Sequence, residues 1–281
     1  MDDYRTAYYR VERMTPSTRK ITDLTGVAAF LVEGTDRAAL IDTCSGAGSL
    51  RTVVDSMTGK PVDVILTHGH CDHAGGAGGF DAVYLHPADW ALVKEHASLK
   101  SRMGFVRACL PQNVFAGIPE NTYTPERTGG WLPLRDGQVF DLGGIHLEIL
   151  RVPGHTQGMC CVLNREERVI LFGDACNTRT FLWSEEACCV EEYRENLKAL
   201  KARENCYDTV WLSHGPTVCE KGLLDEVIAV CGRIMAGTND PEPLTFMGNS
   251  LLLAERTDGA NNRTDGKTGN IVYLPSKIFR P

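Results

Sequence analysis

The stretch His68-Gly69-His70-Cys71-Asp72-His73 gathers three imidazoles and a carboxylate into one short loop, and this density of metal-type ligands constrains the fold more than any other feature of the chain. It follows Val62-Asp63-Val64-Ile65-Leu66-Thr67, a β-branched apolar run that reads as a largely buried strand. Three more inferred strands end the same way, at Val152-Pro153-Gly154-His155, Phe172-Gly173-Asp174 and Leu212-Ser213-His214. Five of the eight histidines therefore lie at strand ends, where a sheet fixes the backbone and loops leave room for a ligand. His68 and His70, at i and i+2 on extended backbone, face one side and reach one cation, while a turn at Cys71 redirects Asp72 and His73 toward a neighbouring one. Gly69 allows close packing, and Ala74-Gly75-Gly76 removes bulk where the next helix must approach the site.

Patterning around these motifs predicts an α/β chain. Strands are expected at residues 7–14, 26–33 and 37–43 as an antiparallel meander, then a helix at 48–57 and strands at 62–67 and 82–86. Pro87 opens a helix ending near residue 97. From 98 to 131 the rhythm breaks: a helix at 103–110 is followed by Pro111, Pro119 and Pro125, with Phe105, Phe115, Tyr123 and Trp131 scattered through the stretch. Such a long irregular insertion is a candidate lid over a site, with Trp90, Phe105, Phe115 and Trp131 serving as an apolar wall under it or as local core. Strands resume at 138–142, 145–152, 159–163 and 168–172, followed by a helix at 187–202, a strand at 209–212 and a helix at 222–235. A terminal hairpin pairs 251–255 with 270–274 across a Gly/Asn/Asp-rich turn, and is long enough to pair with a second copy in a homo-oligomer. Two strand-rich halves, each with helices, imply sheets with helices outside. No repeat or linker divides them, so one domain over residues 1–281 is expected.

With 281 residues, 43% of them hydrophobic, the chain can bury a core without disulfide or metal staples. Its net charge of −7 gives no drive toward nucleic acid or anionic lipid. The start carries no basic-then-apolar leader pattern, and the longest apolar run, near residues 27–32, is too short to cross a bilayer. A cytoplasmic protein acting on a small molecule is expected, with no membrane or nucleic-acid partner. The cysteines number eleven, an odd count with no C-x-x-C pair, so they read as reduced, small hydrophobes.

The set His68-x-His70-x-Asp72-His73, Gly154-His155-Thr156, Gly173-Asp174 and Ser213-His214-Gly215 resembles the metallo-β-lactamase superfamily over most of the chain. That resemblance implies a four-layered αββα sandwich with a dinuclear site at one edge of the sheets. It also implies that His68, His70 and His155 bind a first metal, that Asp72, His73 and His214 bind a second, and that Asp174 bridges them. True β-lactamases of the commonest subclass have cysteine at the position of Asp174 and no ligand histidine at that of His73, so the glyoxalase II, lactonase and phosphodiesterase branches are the nearer likeness. Glyoxalase II ends in a helical substrate domain that residues 220–281 do not resemble. The expected cofactors are two divalent ions, with zinc best suited and iron or manganese tolerated. A water between two cations ionises near neutral pH. The expected function is therefore a metal-dependent hydrolase using a bridging hydroxide on a small ester, thioester or lactone, with Asp72 orienting the nucleophile and shuttling its proton. A phosphodiesterase and a mononuclear-iron oxidoreductase of the persulfide dioxygenase type are the alternatives. Asn177, Arg179 and Trp183, just past the bridging aspartate, are the candidate substrate contacts.

Overall fold

The computed structural model describes residues 3–280. It divides into two compact units, Met1–Ile149 with Asn164–Glu166, and Leu150–Leu163 with Glu167–Pro281.

In the first unit eight strands lie in chain order across one sheet. Strands β1 (Tyr4–Arg5), β2 (Tyr9–Arg13), β3 (Thr18–Asp23), β4 (Ala28–Glu33) and β5 (Ala38–Ile41) pair antiparallel, each with the next. Helix α1 (Leu50–Met57) then supplies the crossover that a parallel neighbour requires, so that β6 (Val62–Ile65) lies parallel to β5. A short helix, α2 (Cys71–Ala74), follows β6, and β7 (Val83–Leu85) and β8 (Leu132–Pro133) extend the parallel half. Between β7 and β8 come α3 (Trp90–His96), α4 (Leu99–Cys109) and α5 (Gln112–Phe115). Strand β9 (Val139–Asp141) pairs antiparallel with β10 (His146–Arg151), which runs on into the second unit. Strand β5 is buried throughout and β4 up to its last residue, the continuous apolar pattern of strands covered on both faces. Leu50, Val53 and Val54 of α1 join Leu31, Leu40, Val64 and Leu85 in one core.

The second unit carries two sheets. In the first, β15 (Val218–Cys219), β14 (Thr209–Leu212), β12 (Val169–Gly173) and β11 (Cys160–Asn164) lie side by side in that order. The other takes the order β13 (Thr180–Leu182), β18 (Ile271–Tyr273), β17 (Asn249–Leu253), β16 (Glu242–Phe246). Helix α6 (Val190–Lys201) is the crossover between the parallel pair β12 and β14, and α7 (Leu223–Ala236) follows β15. Tyr193, Leu197 and Leu200 of α6 pack with Val227, Cys231 and Ile234 of α7 and with Phe172 and Val210 of the sheet. Tyr193, with a fully buried ring, donates from its hydroxyl to Ala175 O at 2.7 Å.

Most elements fall where patterning places them. Strand β3 does not: its Thr-Arg-Lys-Ile-Thr-Asp run is mixed in polarity, and its two sides are covered by strand neighbours rather than announced by alternation. The terminal pairing of β17 with β18 is as expected, but β17 also pairs with β16 around Met247-Gly248, both at positive φ, the geometry of a tight hairpin. Among the described residues no helix is long and apolar enough to cross a membrane. All eleven cysteines lie outside disulfides.

The 98–131 insertion is anchored rather than open. Val106, Phe115 and Tyr123 form a small core with Ala47, joined by half-buried Phe105. Trp131 packs on the main core of its unit. These aromatics are thus local core rather than one wall. Arg102 of α4 is only 1% exposed and donates from Nη1 to Gly75 O at 3.0 Å and to Thr124 O at 2.9 Å. Burial holds its guanidinium below the ordinary arginine range. Arg102→Ala strands two carbonyls and opens a cavity, so unfolding free energy should fall by about 3 kcal/mol or more. A denaturant titration checks this, and a midpoint shift worth under about 0.5 kcal/mol at constant m would contradict the anchoring role.

Candidate metal centre

In the first unit the chain leaves β6 at Ile65 and turns at His70, the N-cap of α2 in extended conformation (φ −72°, ψ 155°). The short helix puts Asp72 and His73 on a different path from His68 and His70, the redirection expected at Cys71. His68 Nε2 and His70 Nδ1 lie 3.1 Å apart, and His73 Nε2 is 3.6 Å from Asp72 Oδ2. His68 and His73 are fully buried, and Asp72 is 8% exposed.

The rings are held from behind. His73 Nδ1 lies 2.8 Å from Asp42 Oδ2, the geometry of an N–H donated to a carboxylate, which leaves Nε2 as the electron-pair donor. Asp42 also accepts from Thr67 N at 2.7 Å and from Thr67 Oγ1, and that hydroxyl lies 3.1 Å from His68 Nδ1. One carboxylate therefore organises two histidines of the cluster. Asp42 stands just past β5 at φ 62° and Cys44 follows at φ 55°, left-handed conformations that non-glycine residues adopt at a cost and that cluster at functional sites. Beside them, Thr43 N and Oγ1 donate to His73 O at 2.6 and 2.8 Å. The glycines remove bulk against the loop past β5 rather than against the next helix: a Cβ on Gly75 would come within 2.4 Å of the Ser45 backbone, and one on Gly76 within 2.5 Å of Thr43 O. Gly69 N donates to buried Asp89 at 3.0 Å.

In the second unit, parallel pairing of β12 with β14 brings their C-terminal ends to one edge. A register shift between Leu171 and Gly173, with Gly173 at φ 54°, re-aims the residue that follows. Asp174 Oδ2 lies 3.5 Å from His155 Nε2 and 3.4 Å from His214 Nε2. His155 Nδ1 donates to Phe181 O at 2.8 Å, fixing its tautomer as Asp42 does for His73. Asn177 is 5% exposed, with Nδ2 3.5 Å from Asp174 Oδ1 and Oδ1 accepting from Arg179 N at 2.7 Å. The Arg179 guanidinium donates to Asn261 Oδ1 at 2.9 Å, and Trp183 packs in an apolar cluster on β17 and β18.

Each unit thus carries a His/Asp cluster of metal-binding type. Imidazole nitrogens and carboxylate oxygens suit a divalent ion of the zinc, iron or manganese kind. In the first unit, ligand atoms of the pairs His68/His70, His68/His73 and Asp72/His73 each fall within 4.8 Å of one another. Cys71 is buried, and that burial, with the Asp72 charge second, pushes its thiol well up. Cys176 belongs to the core of its unit, where burial likewise raises it.

Asp42, Asp89, His96 and the carbonyl of Phe181 escape a reading of motifs. A ligand-bearing strand end gives a sign for Asp42, since Ala38-Ala39-Leu40-Ile41-Asp42 has the same apolar-run-then-acid form as Phe172-Gly173-Asp174. His96 stacks on His70 with centroids 4.8 Å apart, a contact no spacing announces. The other two unassigned histidines are bland: His86 Nδ1 accepts from Ala88 N and His146 bonds Glu166.

The family model of the metallo-beta-lactamase superfamily matches residues 22–205, and the chain belongs to that superfamily. Asp174, standing where the commonest β-lactamases carry cysteine, sets it apart from the true β-lactamases. The acyl-coenzyme A thioesterase MBLAC2 of Bos taurus is 30% identical over 162 residues, covering 52% of this chain and 56% of the relative. The hydroxyacylglutathione hydrolase GloC of Haemophilus influenzae is 28% identical over 144 residues, covering 49% and 60%. The chain spans little more than half the length of these curated relatives. Among solved structures, a metallo-β-lactamase from Pontibacter korlensis aligns with TM-score 0.58 at 18% identity, covering 79% of this chain and 97% of the other. The sec-alkylsulfatase Pisa1 from a Pseudomonas species aligns with TM-score 0.63 at 15% identity, covering 81% and 42%. These likenesses show the metallo-β-lactamase fold.

Asp42→Asn keeps the left-handed backbone accessible while weakening both imidazole tethers. Zinc affinity should fall about 10- to 100-fold. Competition with a chromophoric chelator measures it, and an unchanged affinity would show that Asp42 does not orient the ligands.

Proposed function

We propose that the two clusters act together on a pair of divalent ions, zinc by preference, and that the protein hydrolyses a small-molecule thioester. His68, His70 and His155 would hold one ion, Asp72, His73 and His214 the other, and Asp174 would bridge them. The family match runs through both units, which supports reading them as one catalytic domain. The observation that carries the proposal is the shared construction of the two half-sites: in each, a histidine tied through Nδ1 leaves Nε2 beside a carboxylate. Bound divalent ions supply Lewis acidity for an acyl oxygen and lower the pKa of a water from about 15.7 to about 7.

The residues do the rest. Asp72, beside His73, orients the attacking water and accepts its proton at a carboxylate oxygen. A thiolate leaving group, of parent pKa about 8.5, departs near neutrality with little help, so the proton on Asp72 is available to it without a separate acid. The thioesterase among the relatives and the acylglutathione hydrolase favour thioesters over lactones and phosphodiesters.

The test is turnover of acyl thioesters by protein loaded with zinc or manganese. Asp72→Ala should lower kcat/KM about 100-fold or more while elemental analysis still finds metal bound, and chelation should abolish turnover reversibly. Wild-type rates in a metal-loaded Asp72→Ala protein would overturn the role of Asp72, and no thioester turnover by loaded wild type would overturn the proposed activity.

A further inference from the structure

The four-stranded sheet of the second unit carries an apolar cluster on each face. Its registers pair Phe181 with Val272, Val272 with Leu253, and Leu251 with Leu244. Directly paired residues share a face and neighbours along a strand alternate. One face therefore carries Leu182, Ile271 and Tyr273, which belong to the core of the unit. The opposite face carries Phe181, Val272, Leu251, Leu253, Leu244 and Phe246, with Trp183 and Leu274 at its edge, as a separate apolar cluster; Glu242 and Asn249 stand on the same face at the strand ends, the Glu242 carboxylate accepting from Thr257 N and Oγ1. Leu251, Leu253 and Val272 are its buried floor, and Phe181, Trp183, Leu244 and Phe246 are only half-buried. The ring of Phe246 lies 4.7 Å from that of Phe181 and 6.2 Å from that of Trp183, centroid to centroid. A sheet with one face on its core ordinarily presents a polar second face.

The position of this face supplies its occupant. Phe181 belongs to it by side chain and to the metal centre by backbone, since its carbonyl accepts from His155 Nδ1 at 2.8 Å. Strand β16, which contributes Leu244 and Phe246, lies outside the segment matched by the superfamily, residues 22–205. An aromatic and aliphatic shelf thus begins one hydrogen bond away from His155 of the second unit's cluster.

We propose that the shelf formed by Phe181, Trp183, Leu244 and Phe246 binds the acyl chain of the substrate, making the protein selective for medium-length saturated acyl groups. The inference rests on the thioesterase activity proposed above. The acyl carbonyl sits at the metal centre and the methylenes run along β13 toward β16. Their burial drives recognition at up to about fourfold in affinity per methylene.

Two measurements on the metal-loaded, full-length protein test it. The first compares kcat/KM for butanoyl and octanoyl thioesters of one thiol: wild type should prefer octanoyl by at least about tenfold, and Phe246→Ala should cut that ratio severalfold. Leu244→Thr, at a half-buried edge position where a β-branched residue keeps the strand, repeats the test should Phe246→Ala fold poorly. The second is binding of uncleavable S-methyl and S-octyl thioethers of pantetheine, followed by fluorescence with Trp183→Phe as control. The S-octyl compound should bind at least about tenfold tighter and should shift emission in wild type but not in the control. Thioester turnover with no chain-length preference, or equal affinities for the two thioethers, overturns the shelf and leaves the thioesterase reading intact. Chain-length-dependent binding through Trp183 without turnover of any thioester supports the shelf and discards that reading.

Discussion

The bond between His73 Nδ1 and the Asp42 carboxylate, 2.8 Å long in a fully buried setting, is the contact on which the arrangement of the first unit's His/Asp cluster depends. An imidazole that donates from one nitrogen presents the lone pair of the other to a cation, and a carboxylate partner both fixes that tautomer and raises ligand basicity. Asp42 in turn occupies its place because β5 stops at Ile41 and the backbone enters the left-handed region, a strain held by the bonds from Thr43 to His73 O and from Thr67 to the carboxylate itself. Sheet, turn and histidine are one continuous construction, and the arginine of the insertion donates to Gly75 O at the C-cap of α2.

The second unit reaches the same end by other means. There the organiser is topology: parallel strands bring Asp174 and His214 to one edge, a bulge aims the aspartate, and a main-chain carbonyl replaces the carboxylate as the partner of His155. A carbonyl cannot be removed by substitution, so the orientation of His155 is tied to the position of β13 itself. The C-terminal sheet that holds β13 parallel to β18 is therefore more than an appendage. It orients His155 and, in the proposed arrangement, shapes the substrate.

Motif reading captured what is local and missed what is brought in from elsewhere. The four strand-terminal His/Asp groups were legible as positions because a buried strand and the residue at its end are contiguous in sequence, and the strands ending at Ile65, Arg151, Gly173 and Leu212 lie where apolar runs place them. Asp42, Asp89 and the Phe181 carbonyl were not legible, because each acts on a residue 20 or more positions away. Strand β16 hid for a different reason: Glu-Pro-Leu-Thr-Phe alternates, yet its proline and its edge position mute the strand signal. The insertion looked irregular because its order comes from a buried arginine and a handful of aromatics rather than from periodicity.

X-ray absorption at the edge of the bound metal addresses the donor set most directly. A shell of nitrogen and oxygen at about 2.0–2.2 Å with the multiple-scattering pattern of several imidazoles is the predicted result. Sulfur at about 2.3 Å, the distance of a cysteine thiolate, or a protein that retains no divalent ion when supplied with zinc, manganese or iron, would contradict a centre built from His68, His70, Asp72, His73, His155, Asp174 and His214.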